Sequence, residues 1–196
     1  MSHRKIGFGL IATLLLAAPA SAQTLGVGGT IGVVNDIEHH FHWEDFQSKD
    51  WNLFVEAEVQ PKVIFRATYG TLRVNGENAG TVVTPPGSTN PVTLPDLTED
   101  IHYATVGVSY EFFEGIYTSG IFAGIGGYKI EPDDVPAEIA NYRDNRETVF
   151  GWHFGVDGGF QVIKHLSVTG RLTFHSINST FGRSLLTANA GVTYRF

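Results

Sequence analysis

A cluster of histidines lies in the N-terminal third of the chain, within residues 38–45. His39, His40 and His42 stand there among aromatic and acidic neighbours. Imidazole nitrogens and carboxylate oxygens are ligands that Zn²⁺ and Cu²⁺ accept. The spacing matches no closed structural zinc site, so these residues are a weak candidate for metal binding. We expect a solvated polar connection with no metal, and we predict no cofactor.

A second pair of reactive side chains is His175 and Ser176. A hydroxyl activated by an imidazole can attack an ester, provided that a third group orients the imidazole. Consecutive side chains of an extended strand point to opposite faces, so His175 and Ser176 do not face each other. The residues after Ser176 include no Asp or Glu. The pair is therefore a weak catalytic candidate, and we expect the protein not to be an enzyme.

Charged side chains of both signs occupy one face of the segments that alternate between apolar and polar residues. They are Glu56, Glu58, Arg66, Glu111, His153, Asp157, Arg171, His175 and Arg195. If the segments close into a small barrel, these side chains point into its interior. Charges in a confined space must pair, because each unpaired ion costs several kcal/mol. We predict a network that plugs the lumen; the alternative is a narrow ion path through it.

Period-two alternation predicts strands along most of the chain. The sixth segment is the clearest, because Trp152 and Phe154 alternate there with Gly151 and His153. The predicted strands lie near residues 25–34, 51–60, 63–73, 101–112, 116–129, 148–162, 166–176 and 185–196. The phase of the fifth of these segments stays open, since either face could point inward.

The connections between these segments alternate between two lengths. Tight turns at residues 60–62, 113–115 and 163–165 alternate with longer connections. Short turns on one side and long loops on the other are typical of an outer-membrane barrel. An even number of strands places both termini on the short-turn side. These features predict an all-β chain, an eight-stranded antiparallel up-and-down transmembrane β-barrel.

The aromatic residues of the apolar faces gather at two levels of this barrel. The short-turn level holds Tyr110, Phe112, Tyr117, Phe160, Tyr194 and Phe196. The other level holds Trp51, Tyr69, Phe150, Trp152 and Phe174. Two aromatic girdles around an aliphatic band are what the two interfaces of a membrane select. A soluble lipocalin-like barrel or sandwich is the alternative fold, and its core gives no reason for this sorting.

The N-terminus has the pattern of a secretory signal peptide. Arg4 and Lys5 precede a short apolar run, and small residues lead up to Ala22. The run is shorter than the roughly 20 residues that a membrane-spanning helix needs. We predict cleavage after Ala22, so that residues 1–22 are a signal peptide and residues 23–196 form one barrel domain.

The amino-acid composition limits the kinds of chemistry and of binding partner that we expect for this protein. The chain has no Cys, which excludes disulfides and thiolate chemistry. The formal net charge is −7, and this acidity argues against nucleic acid as a partner. The long connections are acidic as well, which favours surface segments that keep the cell exterior hydrophilic.

The last segment places Val192, Tyr194 and Phe196 on one face, with the aromatic Phe196 in last position. This pattern resembles the C-terminal insertion signal of bacterial outer-membrane proteins. The resemblance implies the barrel-assembly machinery as a partner during biogenesis. The layout as a whole resembles the small eight-stranded outer-membrane barrels of the OmpA/OmpX type.

The resemblance implies a monomer in the outer membrane of a Gram-negative-type bacterium, in contact with its lipids. The loops would be extracellular and the termini periplasmic. The expected role is structural or one of surface interaction. A small porin-like channel is one alternative. The other is a lipid A-modifying enzyme, since His175 and Ser176 resemble part of the Ser-His-Glu site of lipid A deacylases, although those enzymes place Ser two positions after His.

Overall fold

The fold is a closed barrel of eight antiparallel strands, seen in a computed structural model. The structure describes residues 24–37, 48–75, 82–84, 89, 91–93, 98–113, 115–132, 147–178 and 183–196. The barrel strands are β1 (Thr24–Asp36), β2 (Ser48–Gln60), β3 (Val63–Asn75), β6 (Thr98–Phe113), β7 (Tyr117–Pro132), β8 (Glu147–Ile163), β9 (Leu166–Ile177) and β10 (Arg183–Arg195). A separate two-stranded sheet consists of β4 (Val82–Val83) and β5 (Val92–Thr93).

Each barrel strand pairs with its two neighbours around a ring in the order β1-β10-β9-β8-β7-β6-β3-β2. The ring closes where β1 meets β10, in a register that runs from Gly26 opposite Arg195 to Asp36 opposite Leu185. The predicted fold class is thus confirmed. The strands extend a few residues beyond most of the predicted bounds, and β4 with β5 was not predicted. No described residues form a helix of the length and apolar character needed to cross a membrane.

The two ends of the barrel differ. We call the end with the tight connections between β2 and β3, β6 and β7, and β8 and β9 the turn end, and the opposite end the loop end. Lys62 has a φ of 72° and Gly115 a φ of 128°, both in these turns. The register shifts between Glu58 and Gln60, and comparable irregularities precede the other two turns. Such bulges increase the local twist where the chain reverses direction.

The outer wall is apolar over its middle and carries aromatic contacts at both levels. Tyr117 and Phe160 lie 5.2 Å apart near the turn end, and Trp51 and Tyr69 lie 6.1 Å apart near the loop end, measured between ring centroids. The structure also settles the phase of β7, because Phe122 is buried in the lumen. Its neighbouring side chains therefore face outward.

The apolar and polar faces exchange sides near the loop end. Leu72 and Ile101 are fully buried inside the barrel. Arg73 and His102, which follow them in sequence, lie on the outer wall. An apolar interior with a polar exterior is the pattern of a barrel in water.

Glycines that face the lumen allow strands and long side chains to approach closely. Two glycines of β7, one facing the lumen and one on the outer wall, allow this close approach to be tested. A Cβ atom at Gly124 would lie 2.5 Å from the Val106 carbonyl oxygen, whereas at Gly127 on the outer wall it would meet nothing within 4 Å. We expect Gly124→Ala to lower the free energy of unfolding by about 1–3 kcal/mol through overpacking. The matched Gly127→Ala should change it by less than about 0.5 kcal/mol. Urea unfolding in lipid vesicles measures both, and equal effects would contradict the close approach.

Candidate functional site

Arg66 is the centre of an ion-pair cluster in the lower half of the lumen, toward the turn end. Its Nη2 donates to Glu56 Oε2 at 2.8 Å, and its Nη1 donates to Asp157 Oδ2 at 2.9 Å. Glu56 lies opposite Arg66 on the adjacent strand β2, whereas Asp157 lies on β8, three strands away around the ring. One guanidinium group therefore joins distant walls of the barrel.

A second arginine extends the cluster toward the turn end. Arg195 Nε donates to Glu56 Oε1 at 2.9 Å, and Arg195 Nη2 donates to Glu111 Oε1 at 2.8 Å. Glu56 thus accepts hydrogen bonds from two arginines while its side chain is only 3% exposed. These bonds tie β10 to β2 and β6 across the interior. Charge-assisted bonds of this geometry are the strong class of hydrogen bond.

Arg171 is held differently from the other two arginines. Its guanidinium carbon lies 5.1 Å from the ring centroids of both Phe54 and Phe122. Arg66 lies 4.9 Å from the same Phe54 ring, so two cations share one aromatic side chain. The carboxylate contact of Arg171 is a long one, 3.9 Å to Asp157 Oδ2. Desolvated cation–π contacts of this kind contribute about 2 kcal/mol each.

A polar cavity of about 30 Å³ lies in the middle of the lumen. Asn189 Nδ2 donates to Asp50 Oδ2 in its wall. Several buried polar atoms of the lining have no hydrogen-bond partner in the described part of the protein: Asp50 Oδ1, Asn52 Oδ1, Ser109 Oγ, His153 Nδ1 and Arg171 Nε. A space of this size accommodates about two water molecules, each with several of these partners.

His175 and Ser176 are separated by the wall of the barrel. His175 is buried in the lumen, where its Nδ1 lies 3.0 Å from the Tyr128 hydroxyl. Its ring also contacts those of Tyr103 and His153. Ser176 alternates with His175 in β9 and faces outward. The structure keeps the two side chains apart, so they do not form a nucleophile–base pair. This separation is what their adjacency in a strand predicts.

An apolar cluster lies inside the barrel at the loop end, and it was not predicted from the sequence. Its buried members are Val34, Leu72, Val74, Ile101, Tyr103, Tyr128, Ile130, Ile177 and Leu185. We call it the apolar cap. The signal was present in the sequence, since Leu72 and Ile101 are apolar residues on faces that also carry Arg66 and Glu111. Alternation alone does not show that apolar residues of different strands form a layer of their own.

The outer wall at the loop end carries a hydrogen-bonded polar row across β3, β6 and β7. Thr71 Oγ1 lies 3.0 Å from His102 Nδ1, and His102 Nε2 lies 3.5 Å from Glu131 Oε2. Lys129 Nζ lies 2.6 Å from Glu131 Oε1. Beside this row, Arg73 Nε lies 3.9 Å from Asp100 Oδ1.

The remaining predicted residues fall in three places. Glu58 lines a small pocket at the turn end with Glu56 and Arg195, and it forms no ion pair with the described residues. Val192, Tyr194 and Phe196 are exposed on the outer wall near the turn end. His39, His40 and His42 lie outside the described residues, and the described residues contain no group of three His, Cys, Asp or Glu suited to a metal ion.

Solved structures with the same architecture come from several bacteria. Neisserial surface protein A is 9% identical with a TM-score of 0.56, and the match covers 88% of this chain and 96% of that one. The N-terminal barrel domain of Pseudomonas aeruginosa OprF is 11% identical with a TM-score of 0.53, covering 89% and 98%. A major outer membrane protein of Thermus thermophilus is 11% identical with a TM-score of 0.50, covering 88% and 98%. At these identities the likeness concerns the fold alone.

No curated protein sequence matches this chain significantly. A family model does: the one described as the outer membrane protein beta-barrel domain matches residues 8–196, nearly the whole chain. Together with the closed eight-stranded ring, this match confirms the resemblance inferred from the sequence. The chain belongs to the outer membrane protein beta-barrel family.

Proposed function

We propose that the protein is a non-conducting outer-membrane barrel with a structural and surface-interaction role. The observation that supports this role is the filling of the lumen at two levels. The apolar cap occupies the loop end, and the ion-pair cluster around Arg66 occupies the half nearer the turn end. A protein whose interior is filled in this way acts through its outer wall and its loops.

The two levels oppose ion passage for different physical reasons. An ion in the apolar cap would lose its hydration and would find only the hydroxyl groups of Tyr103 and Tyr128 as polar partners. In the limit of a dry interior, the transfer of an unpaired ion costs tens of kcal/mol. In the charged layer an ion would have to displace guanidinium groups that are already bonded to carboxylates at 2.8–2.9 Å. Either layer alone would oppose conduction, and the two are stacked along one axis.

The direction of the barrel in the membrane is part of the proposal. The tight turns and both termini would face the periplasm, and the long connections would face the exterior, as in other barrels of this kind. The exposed aliphatic and aromatic side chains of the middle wall would contact lipid. The C-terminal strand β10, with Val192, Tyr194 and Phe196, would be the segment presented to the barrel-assembly machinery. We expect the inserted protein to be a monomer.

The first test is electrical. Purified protein inserted in a planar lipid bilayer should give no steady single-channel steps at high KCl concentration, because both layers block the lumen. Insertion must be shown on the same sample by gel migration that changes on boiling in SDS. Reproducible conductance steps from the inserted protein would reject the plugged lumen and favour the porin-like alternative.

The second test concerns the ion-pair cluster as a structural element. Arg66→Met leaves Glu56 and Asp157 without their main partner, and we expect it to lower the free energy of unfolding by about 3–5 kcal/mol. Lys49→Met is the control, because Lys49 is an exposed cation on the outer wall of the adjacent strand β2. The control should cost less than about 1 kcal/mol. Urea unfolding in vesicles compares the two, and similar values would mean that the cluster does not stabilise the barrel.

The third test is the direction of insertion. The chain has no Cys, so the maleimide can label this protein only at a single introduced cysteine. In intact cells, a membrane-impermeant maleimide should label Asn178→Cys, which is exposed at the loop end. It should label Lys164→Cys, in the turn between β8 and β9, only after the cells are opened. The reverse pattern would invert the proposed direction.

A further inference from the structure

Asp50 is a buried carboxylate in the wall of the lumen cavity, and it forms no ion pair with the described residues. The residue is 3% exposed, and its Oδ2 accepts a hydrogen bond from Asn189 Nδ2. Its Oδ1 has no partner in the described part of the protein. Buried charges in proteins are paired or coordinate a metal ion, because an isolated carboxylate is costly to desolvate. The charge of Asp50 therefore calls for a cation.

Two neighbouring residues each contribute a further buried oxygen atom that has no partner among the described residues. Asn52 Oδ1 is on the same face of β2 as Asp50, and Thr30 Oγ1 is on β1, directly opposite Asn52 in the ladder. Both residues are 4% exposed. The Cβ atoms of directly opposite residues are about 4.5–5.5 Å apart, so one ion between two such side chains can contact both. We call Thr30, Asp50 and Asn52 the oxygen cluster.

Hydrogen bonds hold the two β2 side chains of the oxygen cluster in place. The Asn52 side chain hydrogen-bonds the Tyr103 hydroxyl, and that hydroxyl also hydrogen-bonds Asp50. Asn189 holds Asp50 from strand β10. These bonds leave Asp50 Oδ1 and Asn52 Oδ1 without a partner in the part of the chain that the structure describes. Carboxylate and amide oxygens only accept, so the cluster offers acceptors to whatever lies beside it.

The charges of the lumen favour a cation at this place over water alone. Between the apolar cap and the turn end, the carboxylates of the described strands outnumber the guanidinium groups. They are Asp50, Glu56, Glu58, Glu111 and Asp157, against Arg66, Arg171 and Arg195. Arg66 and Arg195 are already bonded to carboxylates of the ion-pair cluster at 2.8–2.9 Å. A water molecule satisfies an acceptor but brings no positive charge.

Arg171 is the positive charge that opposes a cation in the cavity, because it lines the same space as Asp50. Its guanidinium group lies over the rings of Phe54 and Phe122, and its carboxylate contact is with Asp157. The π faces of the two rings already stabilise its charge. Arg171 therefore lowers the affinity of the oxygen cluster for a cation without replacing that cation as a direct partner of Asp50.

We propose that the oxygen cluster binds a sodium ion inside the lumen. One carboxylate with an amide and a hydroxyl oxygen matches the charge of a monovalent ion and the oxygen ligands of a hard one. Calcium takes roughly six to eight oxygen ligands, and magnesium keeps several of its waters. The cavity of about 30 Å³ has room for one small ion and about one water. The site lies within the barrel, so it does not depend on the direction of insertion.

The test is the sodium dependence of stability. The purified protein is unfolded with urea in phosphatidylcholine vesicles at about pH 8, where an ordinary carboxyl group is ionised. The salt is sodium chloride or N-methylglucamine chloride at equal ionic strength. An ion that binds only the folded state raises the folding equilibrium constant in proportion to its concentration above the Kd. Each tenfold increase in sodium should then raise that constant about tenfold, whereas N-methylglucamine should leave it unchanged.

Three variants locate the ion. Asp50→Asn removes the charge at nearly constant shape and should abolish the sodium dependence. Thr30→Val removes one neutral oxygen and should weaken sodium binding roughly tenfold, about the effect of one lost polar contact. Glu58→Gln is the matched control, because it removes another inward-facing carboxylate that forms no ion pair with the described residues. It should keep the full sodium dependence of the wild type.

Gel migration that changes on boiling shows which variants are folded. Equal wild-type stability in sodium and in N-methylglucamine would overturn the site, and sodium dependence that persists in Asp50→Asn would overturn its location. If Asp50→Asn does not fold, equal sodium dependence of Thr30→Val and Glu58→Gln would overturn the oxygen cluster. Calcium that stabilises the wild type at lower concentration than sodium would overturn the choice of a monovalent ion. Conductance and maleimide labelling do not depend on this ion, so its absence would leave the proposed function standing.

Discussion

Backbone hydrogen bonding in a medium without water is the constraint on which the rest of this structure depends. Every N–H and C=O in the apolar layer must find a partner in the protein, and a sheet meets that demand by closing on itself. Here closure is made by the pairing of β1 with β10. Once the ring of eight strands is closed, its diameter is set, and the interior is just wide enough for side chains to fill. The lumen network and the apolar cap are both consequences of that diameter.

The side chains that fill the interior of the barrel differ between the turn end and the loop end. Toward the turn end, carboxylates and arginines tie strands that are distant around the ring, as Arg66 does between Glu56 and Asp157. At the loop end the interior holds the apolar cap and the inward-facing ion pair Arg183–Glu99, and the exterior is polar. In the proposed direction of insertion, the change of face along a single strand such as β3 would lie where the surroundings change from lipid to water.

The fold could be predicted because period-two alternation and turn length are local signals, legible in segments such as 148–162. The residues that point inward could be predicted for the same reason. Their partners could not: alternation places Arg66 inside but does not say that Asp157 on a distant strand is within 2.9 Å. That distance depends on the register and stagger of the whole ring. The apolar cap could not be predicted, because alternation assigns Leu72 and Ile101 to one face of their strands and does not say that they meet other apolar residues at one level of the barrel.

The exchange of faces at the loop end has a consequence for the way the barrel enters the membrane. If assembly begins from the periplasm, Arg73, Asp100, Lys129 and Glu131 have to cross the apolar layer before they reach water. A lysine or arginine at the midplane of the bilayer costs about 2–4 kcal/mol. Crossing as the pairs Arg73–Asp100 and Lys129–Glu131 lowers the net charge that is carried through. In the proposed direction of insertion, the edge of the sheet that crosses first carries these charged pairs, and its passage would favour a locally thinned membrane.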